Sequence, residues 1–249
     1  MICNTQAIVL NQHKYGDSSL ICNLFTTDFG KVSIIAKGAR SLKNPNSAIL
    51  QPLNYIELIY FYKSKRNIQI LKEASLIQKY FNMDTNYLKM TYSLTIIDII
   101  NKLSFHNNPC NIIFRLTYKT LKKIDTAKED NIILYYIFFQ LQLLIYLGYQ
   151  PSFFNCYNCN KNLTLGFFCK KVGQLLCSVC SKYKKKPINE DILIIIKTLM
   201  KTHINNIDFH IKHKYLNLIQ DLLFLFILYH LPELRTSKVF LRTQHHESK

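Results

Sequence analysis

The spacing of apolar positions changes character near residue 80. Before it come short runs rich in β-branched and aromatic residues: Thr5–Leu10, Leu20–Thr26, Lys31–Ala36, Asn54–Tyr62 and Ile68–Ala74. Such short runs bounded by turn residues predict strands. Turn residues separate them, at Thr27-Asp28-Phe29-Gly30 and at Lys63-Ser64-Lys65-Arg66-Asn67. The longest irregular piece, Lys37–Pro52, holds Gly38, Pro45 and Pro52. After it, the apolar spacing becomes helical over Tyr87–Leu103, Ile112–Ile124, Ile132–Leu147, Asp191–Thr202 and Tyr215–His230. Gly148 and Pro151 end the third of these.

Five short strands in a basic segment predict a small Greek-key barrel of the OB type. The expected fold is α+β: an OB-fold over residues 1–80, then an all-α helical domain over 81–249 carrying a cysteine knuckle at 156–180. Ile132–Leu147 is apolar enough to raise a membrane span. It is slightly short for one and carries Gln140 and Gln142 near its middle, so it reads as a buried helix. Leu222–Leu231 is shorter still. The opening MICNTQAIVL lacks a basic-then-apolar leader pattern, and the cysteines form no disulfide framework. A reducing, cytoplasmic setting is expected.

The cysteines matter more. Cys156-Tyr-Asn-Cys159 and Cys177-Ser-Val-Cys180 are separated by seventeen residues. Each Cys-x2-Cys turn aims two thiolates at one point, and two such turns complete a tetrahedron. That is the ligand set of structural Zn2+, with no open position for activating water. Cys169 lies between the pairs and could replace one ligand. His210 and His213 could share a helix face, but such a pair is more often a solvated polar surface.

The formal net charge is +17, which favours a polyanionic partner. The excess is localised. Residues 1–80 hold ten Lys/Arg against four Asp/Glu, and residues 151–190 hold seven against one. Coding bias toward Lys, Ile and Asn explains the total better than this clustering. There is no P-loop, no His-Glu-x2-His and no His-x-Glu beside the cysteines. Asp17 and Asp28 suggest no carboxylate metal cluster. Nothing visible carries catalysis, so the chain is expected not to be an enzyme.

One ordered string is specific in combination with the cysteine quartet. It comprises Ala7-Ile8-Val9-Leu10, Tyr15-Gly16-Asp17-Ser18, Leu24-Phe25-Thr26, Gly30-Lys31-Val32-Ser33, Ala36-Lys37-Gly38-Ala39-Arg40 and Leu50-Gln51-Pro52. With the paired cysteines and Leu234-Arg235-Thr236-Ser237-Lys238-Val239-Phe240-Leu241, it closely resembles the bacterial RecO family of recombination mediators. The resemblance implies binding to single- and double-stranded DNA and annealing of complementary strands. It also implies loading of RecA, together with RecR, onto strands covered by single-strand-binding protein, through that protein's acidic C-terminal tail. Such a protein would work at the nucleoid. The chain departs from the family after Ser18, where Ser19 and Leu20 replace a usual Asp and a frequent Arg.

Candidate DNA contacts are Lys31, Lys37, Arg40, Lys43, Lys65 and Arg66, with Lys63 nearby. Tyr15, Phe29, Tyr60 and Tyr62 are candidates for base stacking, Phe29 being better read as barrel core. Arg115 and Lys119, with Lys122 and Lys123, share a helix with Ile112, Leu116 and Leu121 and could bind the acidic tail. That pattern also fits an ordinary amphipathic helix. A different function class stays open: a zinc-knuckle adaptor acting on RNA or in transcription. A nuclease is weaker, for want of carboxylates.

Overall fold

A computed structural model of the chain describes residues 1–80, 85–103, 105, 108–149, 153–182, 186–207 and 211–237. Pro151, His210, residues 183–185 of the basic connector and the stretch from Lys238 lie outside them. The chain forms two compact units, Met1–Thr126 and Ala127–Lys249.

The first unit is built on five strands: β1 (Ile2–Tyr15), β2 (Ser19–Thr26), β3 (Gly30–Ala36), β4 (Tyr55–Phe61) and β5 (Gln69–Gln78). They close in the order β1-β2-β3-β5-β4, an OB-like barrel. A four-residue helix, α1 (Asn46–Ile49), lies between β3 and β4 within the loop read as irregular. The inward side chains form one core, including Ala7, Val9, Cys22, Leu24, Ile34, Ile56, Leu58 and Tyr60.

Alternation predicts that the other face of each strand meets water. Around Ile8, Phe25 and Tyr55 it does not, because these outward residues are buried as well. They lie under two helices, α2 (Tyr87–Lys102) and α3 (Asn111–Thr126). Phe25 meets Phe105 and Phe114 at 5.5 and 5.6 Å, and Tyr55 meets Tyr118 at 4.9 Å. Rings at these distances add attraction beyond the apolar area they bury. The strand-to-helix change thus falls between Gln78 and Tyr87, but the compact unit runs on to Thr126. Two helices use the barrel as their other layer.

The second unit has three helices, α4 (Glu129–Tyr146), α5 (Glu190–Lys201) and α6 (His213–His230), packed on one another. α4 is buried on every side. Gln142, near its middle, donates to the carbonyls of Leu199 and Met200 at 3.4 and 3.1 Å, so its amide is satisfied inside protein. Among the described residues no helix is long and apolar enough to cross a membrane. Between α4 and α5 lies a small sheet in the order β7-β6-β8, from β6 (Leu165–Cys169), β7 (Gln174–Leu176) and β8 (Ile188–Asn189). Asn189 then caps α5, its Oδ1 accepting from the Ile192 N–H at 3.2 Å.

Gly30 shows how tightly the barrel meets the segment after α2. Its φ is +65°, and a Cβ there would lie 2.1 Å from the Phe105 carbonyl oxygen. Backbone on both sides leaves no room to yield. Gly30→Ala should destabilise the first unit by about 3 kcal/mol. The check is urea denaturation followed by tyrosine fluorescence; an unchanged midpoint would show that the turn does not bear on α2 as described.

Candidate metal centre and nucleic-acid interface

The four cysteines of the two Cys-x2-Cys turns converge. The sulfurs of Cys156, Cys159, Cys177 and Cys180 all lie within 4.8 Å of one another. Cys159 and Cys177 stand 3.8 Å apart, the edge of a tetrahedron with metal–sulfur bonds of about 2.3 Å. The turns form because backbone N–H groups face the sulfurs. Cys177 N–H donates to Cys156 Sγ at 3.3 Å, and Cys180 N–H to Cys177 Sγ at 3.4 Å. After the first pair, Asn160 takes φ +57°, a left-handed conformation that Asn tolerates, and its N–H returns to the Cys156 carbonyl.

Burial pushes the Cys156 thiol up, but N–H groups of Cys177, Cys159 and Asn158 outweigh it and bring it down to about 6. The Cys180 N–H likewise lowers Cys177. The Asn158 amide lowers Cys180, yet hydrogen bonding with the Cys177 and Cys159 sulfurs prevails and holds it at about 11. Donors aimed at sulfur favour thiolate, the form that binds metal. The cluster therefore could hold a metal ion, and its donor set suits a thiophilic one. Cys169 lies on β6, and its carbonyl accepts from Gly173 N–H. The knuckle is fixed to α6. Phe153 is fully buried edge-on to Phe226 at 5.2 Å, and Gly173 fits where a Cβ would lie 2.2 Å from the Tyr229 ring.

The chain's two halves match two family models, described as Recombination protein O N terminal over residues 1–80 and Recombination protein O C terminal over residues 84–238. The chain belongs to the recombination protein O family. It is similar to the DNA repair protein RecO of Salinibacter ruber, 32% identical over 151 residues, a match spanning 61% of this chain and 58% of that one. It is similar also to the DNA repair protein RecO of Thermoanaerobacter sp. strain X514, at 28% over 202 residues and 80% of each chain. A third such relative, from Caldicellulosiruptor bescii, is 27% identical over 205 residues, 80% of this chain and 82% of its own.

The expected nucleic-acid residues do not form one set. Lys37, Lys43 and Lys65 are exposed, and Arg66 is half-buried on the β4–β5 turn. Lys31 requires a correction. It is 8% exposed, and its Nζ donates to the carbonyls of Asn101 and Leu103 at 2.6 and 3.4 Å. Burial, and then the charge of Lys102, hold its ammonium below the usual lysine range. Lys31 is a clamp on the C-terminal end of α2, where unpaired carbonyls attract a cation. Arg40 is partly committed too. Its guanidinium donates to the Gly16 and Asp17 carbonyls at 2.6 and 2.5 Å, and its N–H to Ser18 O at 2.8 Å, holding the β1–β2 turn.

Among the aromatic candidates, Tyr60 is buried in the barrel and Tyr15 is exposed, while Phe29 and Tyr62 are half-buried. On α3, Arg115, Lys119 and Lys122 are exposed on one face with Ile112, and Lys123 is half-buried. Leu116 and Leu121, on the same helix, are buried. His213 lies 3.4 Å from Asp130 rather than near the sulfurs.

Removing one of the four converging sulfurs should matter, and removing the fifth cysteine of the region should not. Cys177→Ser should weaken metal retention about a hundredfold or more, with Cys169→Ser retaining it. Elemental analysis of reduced protein after dialysis checks this; loss of metal from Cys169→Ser would contradict the four-sulfur set.

Proposed function

We propose that this chain is a DNA repair and recombination mediator without enzymatic chemistry of its own. In this reading it binds single- and double-stranded DNA and anneals complementary strands. It helps load RecA, together with RecR, onto strands covered by single-strand-binding protein. Membership of the recombination protein O family across residues 1–238 carries the reading. Exposed Lys37 and Lys43 after β3 and Lys65 on the β4–β5 turn support it, since cations around a barrel track a phosphate backbone. Such contacts offset repulsion between two strands without nucleotide hydrolysis. The ion of the cysteine cluster is Zn2+, held for structure, because four thiolates leave no position for substrate.

Annealing of complementary oligonucleotides should proceed without ATP. Lys37→Ala with Lys43→Ala should weaken binding to all single-stranded sequences about equally and reduce the slope of log affinity against log salt by ~1.4. Fluorescence anisotropy across a salt series checks it. An unchanged slope would remove the loop from the DNA path, and absence of annealing would count against the mediator reading.

The acidic tail contacts α3 in this reading, through Arg115 and Lys119 with exposed Ile112 as the apolar neighbour. Arg115→Ala with Lys119→Ala should weaken a tail peptide about tenfold at low salt, and less at high salt. Calorimetry showing wild-type affinity for the double variant would place the tail elsewhere.

A further inference from the structure

We infer that the barrel holds a pocket for one unstacked nucleobase, in a cleft between the start of β3 and the β4–β5 turn. The inference rests on the reading of the chain as a DNA-binding protein and adds a site to it. The cleft arises from topology. β3 and β5 are the parallel pair of the barrel, and they pair only at Ile34 with Gln69 and Ile35 with Ile70. β5 begins at Gln69, so the start of β3 faces the β4–β5 turn across the opening. The opening is about 710 Å³, and Asp28, Phe29, Lys31, Tyr62, Arg66 and Asn67 are among its lining.

The walls suit a flat aromatic ligand. Phe29 stands edge-on to the buried Tyr60 at 6.1 Å, which fixes its ring. Phe29 and Tyr62 are each half-buried, anchored yet accessible. Stacking on such side chains accepts any base, because every base has a π-face. The turn opposite is preorganised. Gln69 is buried, and its side chain accepts from Lys63 N–H at 2.8 Å and donates to the Arg66 carbonyl at 2.6 Å. That fixes the backbone carrying Arg66 and Asn67. Neither of these side chains has a hydrogen bond or ion pair among the described residues.

The cleft carries both signs: Asp28 shares its lining with the Met1 ammonium, Lys31 and Arg66. Asp28 accepts from the Thr5 and Thr27 hydroxyls at 2.6 and 2.7 Å. The Thr27 bond and then the Thr5 bond hold its carboxyl below the usual range, so it is ionised at neutral pH. A carboxylate accepts from the N–H groups on a base edge, which a phosphate does not offer. Arg66 then meets the backbone outside. The volume exceeds a base alone and leaves room for its sugar.

The test compares wild-type protein and variants for binding to oligothymidylate and to an abasic strand of equal length, with thymidine monophosphate as competitor. The two strands carry equal charge. Wild type should bind the thymidylate strand roughly tenfold more tightly than the abasic one. Tyr62→Ala should erase that preference without changing abasic binding, and Tyr62→Phe should keep it. Asn67→Ala, on the exposed turn, should reduce it about threefold, and it stands if circular dichroism shows Tyr62→Ala to be misfolded. A preference that survives both Ala variants, or an equal loss on both strands, overturns the pocket. Displacement of the strand by micromolar thymidine monophosphate makes it a free-nucleotide site and overturns the strand assignment. Wild type that binds neither strand overturns the DNA-binding reading, and the pocket with it.

Discussion

Burial of one barrel side on both of its faces is the constraint on which the first unit depends. Ile8, Phe25 and Tyr55 point outward, yet they are covered by α2 and α3. Lys31 finishes the join. Its ammonium takes the carbonyls of Asn101 and Leu103, which the helix itself leaves without donors. Gly30 lets the β2–β3 turn close on the Phe105 carbonyl. Covering this side decides what remains for a ligand. On the neighbouring part of β2 and β3 the outward residues Ile21, Asn23, Ser33 and Ile35 are only half-buried. That face lies beside the exposed cations after β3 and on the β4–β5 turn, and under the proposed function it is where a strand would run.

The second unit solves a different problem. Its small sheet pairs only a few residues, too little to order the segment by backbone bonds alone. Four convergent sulfurs with N–H groups directed at them could supply a cross-link through a metal. Phe153 against Phe226, and Gly173 beneath Tyr229, then transmit that order to α6. The metal in this account stabilises a shape and takes no part in a reaction.

The five barrel strands and five long helices were readable because short β-branched runs between turns and a period of 3.6 are local properties. The cysteine quartet was readable because spacing alone fixes where a Cys-x2-Cys turn can point. Lys31 and Arg40 were not. A cation in sequence carries no direction: Lys31 turns inward onto carbonyls, and Arg40 gives part of its guanidinium to the β1–β2 turn. The strands of the small sheet are too short to show a period. α1 is a single turn in a loop. The β3–β5 cleft depends on where two distant strands stop pairing, which no local pattern encodes. The compact unit ending at Thr126 likewise depends on aromatic contacts between distant segments, although the periodicity changes near residue 80.

Under the proposed function, DNA follows the side of the barrel that α2 and α3 leave uncovered. Hydrogen–deuterium exchange with and without oligothymidylate reads this segment by segment. Exchange should slow across residues 20–23, 31–44 and 63–69, with α2 and α3 unchanged. Protection confined to α2 and α3, with those three stretches exchanging as in free protein, would contradict it.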